Sequence, residues 1–341
     1  MKEKKVTFAD IAKYTGFSKT TISRYFNSPE YLTPDNRKII ADALDTLQYQ
    51  ENKVARSLAN GRTEFIGILI PNLYMQFYSE VLHEMLSTYE KYGYKFLVFT
   101  GDKDKEIEKK YLKELLSYNI EGLVVLSHTI PSEELLQFDI PIVTIEREDE
   151  YVSSVNTDNF LGGVQATTLL LQSNCEVLIH VNNDLTPTFP AYGRIQGFLA
   201  VCRQNEVEHE LITTTMGDTY TENEGLIIQL INELNRKYPD KKKGLFMSND
   251  VNAGIMVNIL VQRYGRIPDD YRVVGFDDVS ISREAVVPIS TVGQQTDVMV
   301  REVIEMLTDQ IRERKEKGGT YRHAPMHKII PPILVRRKTT D

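Results

Sequence analysis

From Phe65 onward, short apolar runs alternate with amphipathic stretches, and this alternation restricts the possible folds more than any other feature. The first run, FIGILI at 65–70, precedes a helical pattern that extends from Val81 to Tyr92 and ends at Gly93. Later runs of the same kind are YKFLVFT, GLVVLS, PIVTIE, CEVLIHV, GLFMS and RVVGFD. Strands that alternate with helices form parallel sheets covered by helices on both faces. We therefore predict an α/β body of parallel sheets flanked by helices.

The alternation breaks at 155–163 and then resumes, which predicts two similar lobes. Ligands of such folds bind outside the carboxyl ends of the strands, so the expected site is a cleft between the lobes. Aromatic rings can stack on a sugar or base, carboxylates accept from hydroxyls, and arginine offers a planar fork of donors. Side chains of these types follow the predicted strands: Phe77, Tyr78, Glu146, Arg194, Asn249 and Asp250.

These candidates also have structural interpretations. One of the two aromatic residues, Phe77 or Tyr78, packs its helix, and Glu146 belongs to an acidic loop exposed to solvent. Asn249 and Asp250 cap a helix whether or not they bind a ligand.

The first 62 residues differ from the body in charge. They hold 11 Lys and Arg against 7 Asp and Glu, a net charge of +4. The rest of the chain holds 29 against 41, a net charge of −12, which gives −8 in all. A basic head on an acidic body indicates that only the head binds a polyanion.

The pattern of the head predicts a helix-turn-helix. A first helix begins at Thr7 and ends at Gly16, and a second begins at Ser18 and buries Ile22 and Phe26. A third helix begins at 33–34. The second helix then exposes side chains that can donate to phosphates and base edges: Lys19, Thr20, Ser23 and Arg24. The alternative is an amphipathic helix whose outer face is merely solvated.

Residues 53–59 form a helical pattern that is too short to be stable alone in water. Its apolar edge and its cations predict that it folds on a partner.

Three segments, VTFADIAKYTGFSKTTISRYFN, NKVARSLANG and ILVRRKTTD, together resemble the LacI/GalR family of transcriptional repressors. The resemblance spans essentially the whole chain.

The resemblance implies that the second helix reads bases in the major groove. It also implies that the short helix folds in the minor groove, where Leu58 inserts into the central base step. The residues that it implies for DNA binding are Thr7, Ser18, Lys19, Thr20, Thr21, Ser23, Arg24, Asn27, Lys53, Ala55, Arg56 and Leu58.

For the body, the resemblance implies a fold like the periplasmic sugar-binding proteins, with three chain crossings between the lobes. We expect a DNA-binding domain at 1–50 and a hinge at 51–62. The N-terminal lobe is then 63–156 with 290–318, and the C-terminal lobe is 157–289 with 319–337. Arg194 and Asp250 match residues that hold the effector in the family. The positions implied to line the cleft are Phe77, Tyr78, Glu146, Asn249 and Gln294, whereas the acidic residues of GFDD at 275–278 have a structural interpretation.

No sequence motif indicates an enzyme. The six histidines form no HExxH or comparable metal-ligand pattern, and GxSxG, GxxxxGK[ST] and GxGxxG are all missing. We therefore expect no catalytic residues, no metal and no cofactor. Two cysteines, no long apolar run and no secretion signal predict a cytoplasmic protein.

The sequence thus predicts a sequence-specific DNA-binding regulator, a repressor of a carbohydrate-utilisation operon controlled by a small sugar in the cleft. It is expected to be a homodimer, because no leucine-heptad segment follows the last predicted strand. As a homodimer it is expected to bind a near-palindromic operator. One alternative is a nucleobase-responsive regulator of the same family. Another is a cytoplasmic sugar-binding protein with no role on DNA.

Overall fold

A computed structural model describes residues 6–50, 62–101, 104–183, 186–217, 219–318 and 324–341. The chain divides into two compact units, Met1–Arg62 and Thr63–Asp341. Most of the expected hinge lies outside the described residues, and with it the candidate DNA contacts Lys53, Ala55, Arg56 and Leu58. Among the described helices, none combines the length and apolarity that a bilayer crossing requires.

The described part of the first unit contains three α-helices, α1 (Phe8–Thr15), α2 (Lys19–Asn27) and α3 (Pro34–Thr46). They begin at the predicted residues. The Thr7 backbone N–H donates to the Asp10 carboxylate at 2.9 Å, and the Ser18 hydroxyl accepts from the Thr21 N–H at 3.1 Å. Gly16 ends α1 with φ of 75°, a conformation that glycine adopts without strain.

The core of the first unit lies where the three helices meet. Ile11, Ile22 and Ile40 are fully buried there. The rings of Phe8 and Phe26 stack with centroids 5.3 Å apart, which closes one side of this core.

The second unit contains a six-stranded parallel sheet. Its strands are β1 (Phe65–Ile70), β2 (Lys95–Thr100), β3 (Gly122–Val125), β4 (Ile142–Ile145), β5 (Ser153–Thr157) and β11 (His327–Ile330). Their order in the sheet is β11–β5–β4–β3–β1–β2. The helices beside it are α4 (Gln76–Ser87), α5 (Tyr89–Tyr92), α6 (Lys105–Ser117), α7 (Ser132–Leu135) and α13 (Thr296–Glu316). Apolar clusters cover both faces of the sheet, as parallel sheets require.

A four-stranded parallel sheet with the order β7–β6–β8–β9 forms the other lobe. Its strands are β6 (Val177–Asn182), β7 (Glu208–Thr213), β8 (Lys243–Met247) and β9 (Tyr271–Val274). Its helices are α8 (Asn159–Gln172), α9 (Tyr192–Gln204), α10 (Tyr220–Lys237), α11 (Asp250–Tyr264) and α12 (Ser280–Glu284). These two helix-flanked sheets confirm the predicted α/β class.

The chain passes between the two sheets three times: after β5, after β10 (Thr291–Gly293), and between β11 and β12 (Ile333–Val335). The expected boundaries at 290 and 319 are wrong. Strand β10 continues the second sheet through bridges to Val274 and Asp277, and β11 pairs with β5 in the first sheet. The prolines at 331–332 lack an N–H to donate, so the apolar run splits there and its two halves join different sheets.

Candidate functional site

The exposed face of α2 carries most of the predicted DNA contacts of the head. Lys19, Thr20, Arg24 and Asn27 are exposed, as are Thr7 and Ser18, whereas Thr21 and Ser23 are half-buried. Ser18 shares a hydrogen bond with Thr21, and Asn27 Nδ2 donates to Ser23 Oγ at 3.1 Å. The helix therefore presents two cations and several short donors on one side. Such a face suits a major groove, where lysine and arginine contact phosphates and guanine edges.

In the body, Arg194 lies at the boundary between the two lobes and is almost fully buried. Its Nε donates to Asn159 Oδ1 at 2.8 Å, and its Nη1 donates to the Ser248 carbonyl at 2.8 Å. The guanidinium carbon lies 3.6 Å from the centre of the Phe276 ring. These contacts hold the planar fork in one orientation.

Glu146, which follows β4, connects Arg194 to the first lobe. Its carboxylate accepts from the Thr157 backbone N–H at 2.6 Å and from Asn159 Nδ2 at 2.8 Å. Glu146 has a φ of 55°, in the left-handed region, and its hydrogen bonds direct the carboxylate to the end of β5. We refer to Glu146, Asn159, Arg194 and the Ser248 carbonyl as the Arg194 network.

A second hydrogen-bonded row runs beside the Arg194 network. The Thr157 hydroxyl donates to Gln294 Oε1 at 2.6 Å, and Gln294 Nε2 donates to Asp277 Oδ1 at 2.6 Å. Asp277 has a φ of 110°, a strained value for a residue other than glycine. Burial raises the pKa of Asp277 to about 7, and the Arg194 cation opposes that rise.

The electrostatic environment of Arg194 shows which candidates the fold brings together. Burial lowers the pKa of the Arg194 guanidinium, and four neighbouring groups oppose this shift. In order of effect they are Asp277, Glu146, Tyr78 and Asp250, which come from both lobes. Three of the four are candidates from the sequence, which allows a structural interpretation of Asp277.

Asp250 is held by hydrogen bonds inside the second lobe. It is fully buried, its Oδ1 accepts from the Thr291 hydroxyl at 2.6 Å, and its Oδ2 accepts from the Val279 N–H at 3.0 Å. A Cβ on Gly275 would lie only 2.0 Å from Asp250 Oδ1. One carboxylate oxygen is thus bonded to the 275–279 loop and the other to β10. Effector binding by Asp250 stays a prediction, and Asp277 is the carboxylate with the larger effect on Arg194.

The remaining candidates divide between site and core. Asn249 is half-buried; its side chain caps α11 by accepting from the Asn252 N–H at 2.8 Å. Phe77 is buried in the core of the first lobe, and its ring contacts that of Tyr78 edge-on at 5.6 Å. One aromatic residue of the pair therefore packs its helix, and Tyr78 is the one near Arg194.

The position of Arg194 depends on a close crossing of α8 and α9 that sequence reasoning missed. A Cβ on Gly163 would lie 2.4 Å from the Arg194 carbonyl oxygen, and one on Gly197 would lie 2.3 Å from the Phe160 carbonyl oxygen. Only glycine fits such an approach. The signal was present as glycines at 162, 163, 193 and 197 in two facing helices.

Within the described ranges, no three His, Cys, Asp or Glu side chains lie close enough together to share a metal ion.

Comparison with known proteins identifies the family to which this architecture belongs. Residues 7–52 match the family model of bacterial regulatory proteins, lacI family, and residues 170–340 match a periplasmic binding protein-like domain. The HTH-type transcriptional regulator RegA of Clostridium saccharobutylicum is 30% identical over 339 residues, which cover 97% of this chain and 98% of that protein.

A ribose operon repressor of Halalkalibacterium halodurans is 29% identical over 335 residues, which cover 98% of this chain and 97% of the relative. A crystal structure of the lac repressor dimer bound to operator and the anti-inducer ONPF has the same fold, with a TM-score of 0.81 at 20% identity over 99% of both chains. The two matched domains and the full-length relatives establish that this chain belongs to the lacI family of bacterial regulatory proteins and is a DNA-binding transcriptional regulator.

Proposed function

We propose that the protein represses a carbohydrate-utilisation operon and that a small sugar in the interlobe cleft controls it. The observation that carries this proposal is the Arg194 network. It joins groups from both lobes at the carboxyl ends of their strands, where ligands of parallel α/β folds bind. The names of relatives, which include a ribose operon repressor, support a sugar as the effector.

The chemistry of the cleft suits a polyhydroxylated ligand. A hydroxyl donates one hydrogen bond and accepts two, and the cleft supplies both partners in Arg194, Glu146, Asp277 and Gln294. Tyr78 adds an aromatic ring on one side, and Asn249 adds an amide that lies 3.9 Å from Met75 Sδ of the other lobe. A sugar that replaces these internal hydrogen bonds would change how the lobes meet.

Control of DNA follows from coupling between the cleft and the head. We propose that two copies bind a near-palindromic operator, each placing α2 in the major groove, and that the hinge segments at 51–62 fold in the minor groove between them. An effector shifts the equilibrium only by its differential affinity for the two lobe arrangements. The protein is assigned to the cytoplasm, where the operator lies, and no catalytic activity is assigned to it.

A nucleobase effector is the second candidate, because the Tyr78 ring and the Arg194 fork could also hold a planar base. The burial of Phe77 argues against a nucleobase. Because the Phe77 ring lies in the core of the first lobe, Tyr78 alone of the predicted pair can offer an aromatic face to the cleft.

The test is fluorescence anisotropy with labelled DNA from the region upstream of the gene, measured across salt concentrations and with a panel of ligands. The panel contains D-ribose, sucrose, cellobiose, hypoxanthine and guanine. We expect specific binding that weakens steeply with salt and that one sugar changes. A response to a purine alone would favour the second candidate. Equal affinity for random DNA would refute the regulatory proposal.

A variant of the recognition face provides a second test. Lys19→Ala removes an exposed cation from α2, so operator affinity should fall about tenfold and the salt dependence should become shallower by roughly one unit if Lys19 contacts a phosphate. Lys38→Ala, an exposed lysine on α3, is the matched control and should keep most of the affinity.

A further inference from the structure

The chain enters the body at the edge of the first-lobe sheet that lies opposite the cleft. Strands β1, β2 and β3 are parallel neighbours, so the residues just before them, Glu64, Tyr94 and Glu121, lie side by side at this edge. Thr63 and Glu64 are the first two residues of the second unit, and the expected hinge at 51–62 directly precedes them. Contacts that fix Glu64 therefore fix the point where the hinge joins the body.

Glu64 has a backbone conformation that requires support. Its φ of 59° lies in the left-handed region, which is unfavourable for a residue other than glycine. Its N–H donates to Glu121 Oε1 at 3.0 Å, and its carbonyl accepts from the Lys95 N–H at 2.8 Å. Just before it, the Thr63 hydroxyl donates to the Asn119 carbonyl at 2.6 Å. Such strain persists only where surrounding contacts determine the conformation, and here they do so at the junction of hinge and body.

The Glu121 carboxylate connects this junction to the end of α13. Oε1 accepts from the Glu64 N–H, and Oε2 accepts from Lys315 Nζ at 2.5 Å. The Tyr94 hydroxyl lies 3.5 Å from Oε2. The Glu121 side chain is only 8% exposed, whereas that of Lys315, in the last turn of α13, is 40% exposed. We refer to Glu64, Glu121 and Lys315 as the Glu121 bridge.

The bridge has a firm support at each end. A Cβ on Gly122 would lie 2.9 Å from Leu307 Cδ1 and 3.0 Å from Ile311 Cδ1, so α13 packs directly against the first residue of β3. Leu307 and Ile311 are themselves buried in the core of the first lobe. Since both β3 and α13 are attached to that core, loss of the Glu121 carboxylate would free Glu64 and leave the helix in place.

Neither stability nor charge accounts for a carboxylate at this position. An ion pair with a partly exposed lysine adds little to the free energy of unfolding. A negative charge beside the hinge also repels a polyanion, which opposes DNA binding. What the carboxylate does supply is an acceptor for the backbone of the junction.

We infer that Glu121 is a positioning residue for operator binding, because it holds the junction of hinge and body in one conformation before DNA is bound. The inference rests on the part of the proposed function in which the hinge segments fold in the minor groove, and not on control by a sugar. The two hinges of a dimer must meet on one operator, so freedom at either junction is lost on binding. A junction that is already fixed avoids this loss of conformational entropy.

Fluorescence anisotropy with the full-length protein and labelled DNA from the region upstream of the gene tests the inference. Glu121→Ala should weaken specific binding at least about tenfold, because the residues around Glu64 would have to be ordered on the DNA. The salt dependence should equal that of wild type, since the Glu121 anion contacts no phosphate. Charge alone predicts the opposite sign, because removal of an anion strengthens DNA binding. Glu114→Ala removes the same charge from the exposed face of α6 and should bind at least as tightly as wild type.

The bridge also predicts that Lys315 acts through Glu121. Lys315→Met should weaken operator binding about threefold more than Lys317→Met, which removes the same charge from a side chain that is 48% exposed. In the Glu121→Ala background, the two lysine variants should have equal effects. Such non-additivity distinguishes one shared interaction from two independent ones.

Hydrogen exchange without DNA provides a readout that a role in folding alone would not produce. The Glu64 N–H should exchange at least about tenfold faster in Glu121→Ala, while the amides of β3 keep their wild-type rates. If Glu121→Ala does not fold, Glu121→Gln keeps an acceptor for the Glu64 N–H and loses only the charge that pairs with Lys315. Its operator affinity should then match that of Lys315→Met.

The outcomes separate this inference from the proposed function. Unchanged or tighter operator binding in Glu121→Ala would overturn the inference and leave the proposed function standing. Equal losses in Glu121→Ala and Glu114→Ala would overturn it too, as would faster exchange throughout β3, which would assign Glu121 to folding. If the wild-type protein does not prefer the upstream DNA over random DNA, the inference and the proposed function are both refuted.

Discussion

At the scale of single residues, Arg194 shows how a buried charge is held in one orientation. Its donors are paired with Asn159 and the Ser248 carbonyl, and Phe276 covers its flat face. A buried cation without such partners would cost several kcal/mol. These partners come from separate parts of the second lobe. The orientation of the Arg194 guanidinium therefore depends on how those parts pack against each other.

Arg194→Lys should therefore reduce effector affinity about tenfold or more, because an ammonium keeps the charge but cannot reproduce two directed donors. Operator affinity without effector should stay within about twofold of wild type, since the head is a separate unit. Titration calorimetry with the sugar found in the ligand panel measures the first quantity. Arg203→Lys, exposed on the same helix, is the control, and equal losses in both variants would contradict the assignment.

Asp277 makes the free energy of unfolding decrease as the pH rises toward 8. Its folded pKa of about 7 lies above the ordinary value of 3.8, so the folded protein binds this proton more tightly than the unfolded chain. The stabilisation is fully present below the unfolded pKa and is lost as pH rises through the folded one. Between pH 5 and pH 8 the loss amounts to about 2–3 kcal/mol.

The Asp277→Asn variant has no carboxyl group to titrate at this position. The free energy of unfolding of the variant should therefore fall less than that of the wild-type protein between pH 5 and pH 8. Urea denaturation at the two pH values measures the difference. Asp269→Asn, a side chain that is 86% exposed, is the control and should follow the wild-type curve. Parallel curves for Asp277→Asn and wild type would show that Asp277 is ionised at both pH values.

The sequence predicts Arg194 and Asp250 as effector-binding residues and allows a structural interpretation of the acidic residues of GFDD. In the structure Asp277 is the charged group that most affects Arg194. Effector binding by either carboxylate, Asp250 or Asp277, stays a prediction. Both follow strands, and local sequence cannot distinguish them. What separates them is tertiary: Thr291 and Val279, which are distant in the chain, take both oxygens of Asp250.

At the scale of elements, glycines decide how closely α8 and α9 approach. Gly163 and Gly197 lie where any larger residue would meet backbone oxygen, and backbone does not yield as a flexible side chain does. The crossing brings Asn159, at the start of α8, within reach of Arg194, near the start of α9. Packing of two helices thus determines the geometry of the Arg194 network.

Gly163→Ala should lower the free energy of unfolding by about 1–3 kcal/mol, because the methyl group would have to push the helices apart. Gly225→Ala is the matched control. It lies in α10 with nothing within 4 Å of its added Cβ, so it should raise stability by about 0.5–1 kcal/mol. Thermal or urea unfolding measures the stability of both variants, and we expect changes of opposite sign. A gain in Gly163→Ala, as in Gly225→Ala, would mean that the two helices accommodate the methyl group and that the close crossing does not require glycine.

Prediction of the elements succeeded where strands are apolar. The runs that the sequence indicated are strands of the two sheets, but β5 and β7 were missed. The β5 sequence SSVNT is polar yet buried, and Ser153 is satisfied by Gln310 Nε2 at 2.9 Å. β7 is a partly exposed edge strand with the sequence EHELIT. Neither carries the apolar run by which a buried strand is recognised: β5 buries polar side chains that find partners in the fold, and β7 lies at the edge of its sheet.

At the scale of the whole molecule, effector and operator are linked by thermodynamics. If sugar changes operator affinity by a given factor, operator must change sugar affinity by the same factor. Factors of about 5–150 are typical of such coupling. The Glu80 side chain contributes one contact between the lobes that this coupling can involve, since it accepts from the Ser280 N–H at 2.7 Å.

We therefore expect equal coupling factors from two experiments: operator titration with and without saturating sugar, and sugar titration with and without saturating operator. Glu80→Gln should change both factors together, while Glu84→Gln, half-buried on the same helix, should change neither. Unequal factors at equilibrium would mean that a third species, such as a change in oligomeric state, takes part.

The three crossings between the sheets have a consequence for how this body can be taken apart. Neither lobe is one continuous stretch of chain, because the first is completed by α13 and β11 and the second by β10 and β12. A protease that cuts a single connection leaves two others intact, so the nicked body stays assembled. By the same reasoning, no simple truncation of the gene yields one lobe alone. Because their chain segments are interleaved, the two lobes are encoded, synthesised and degraded together.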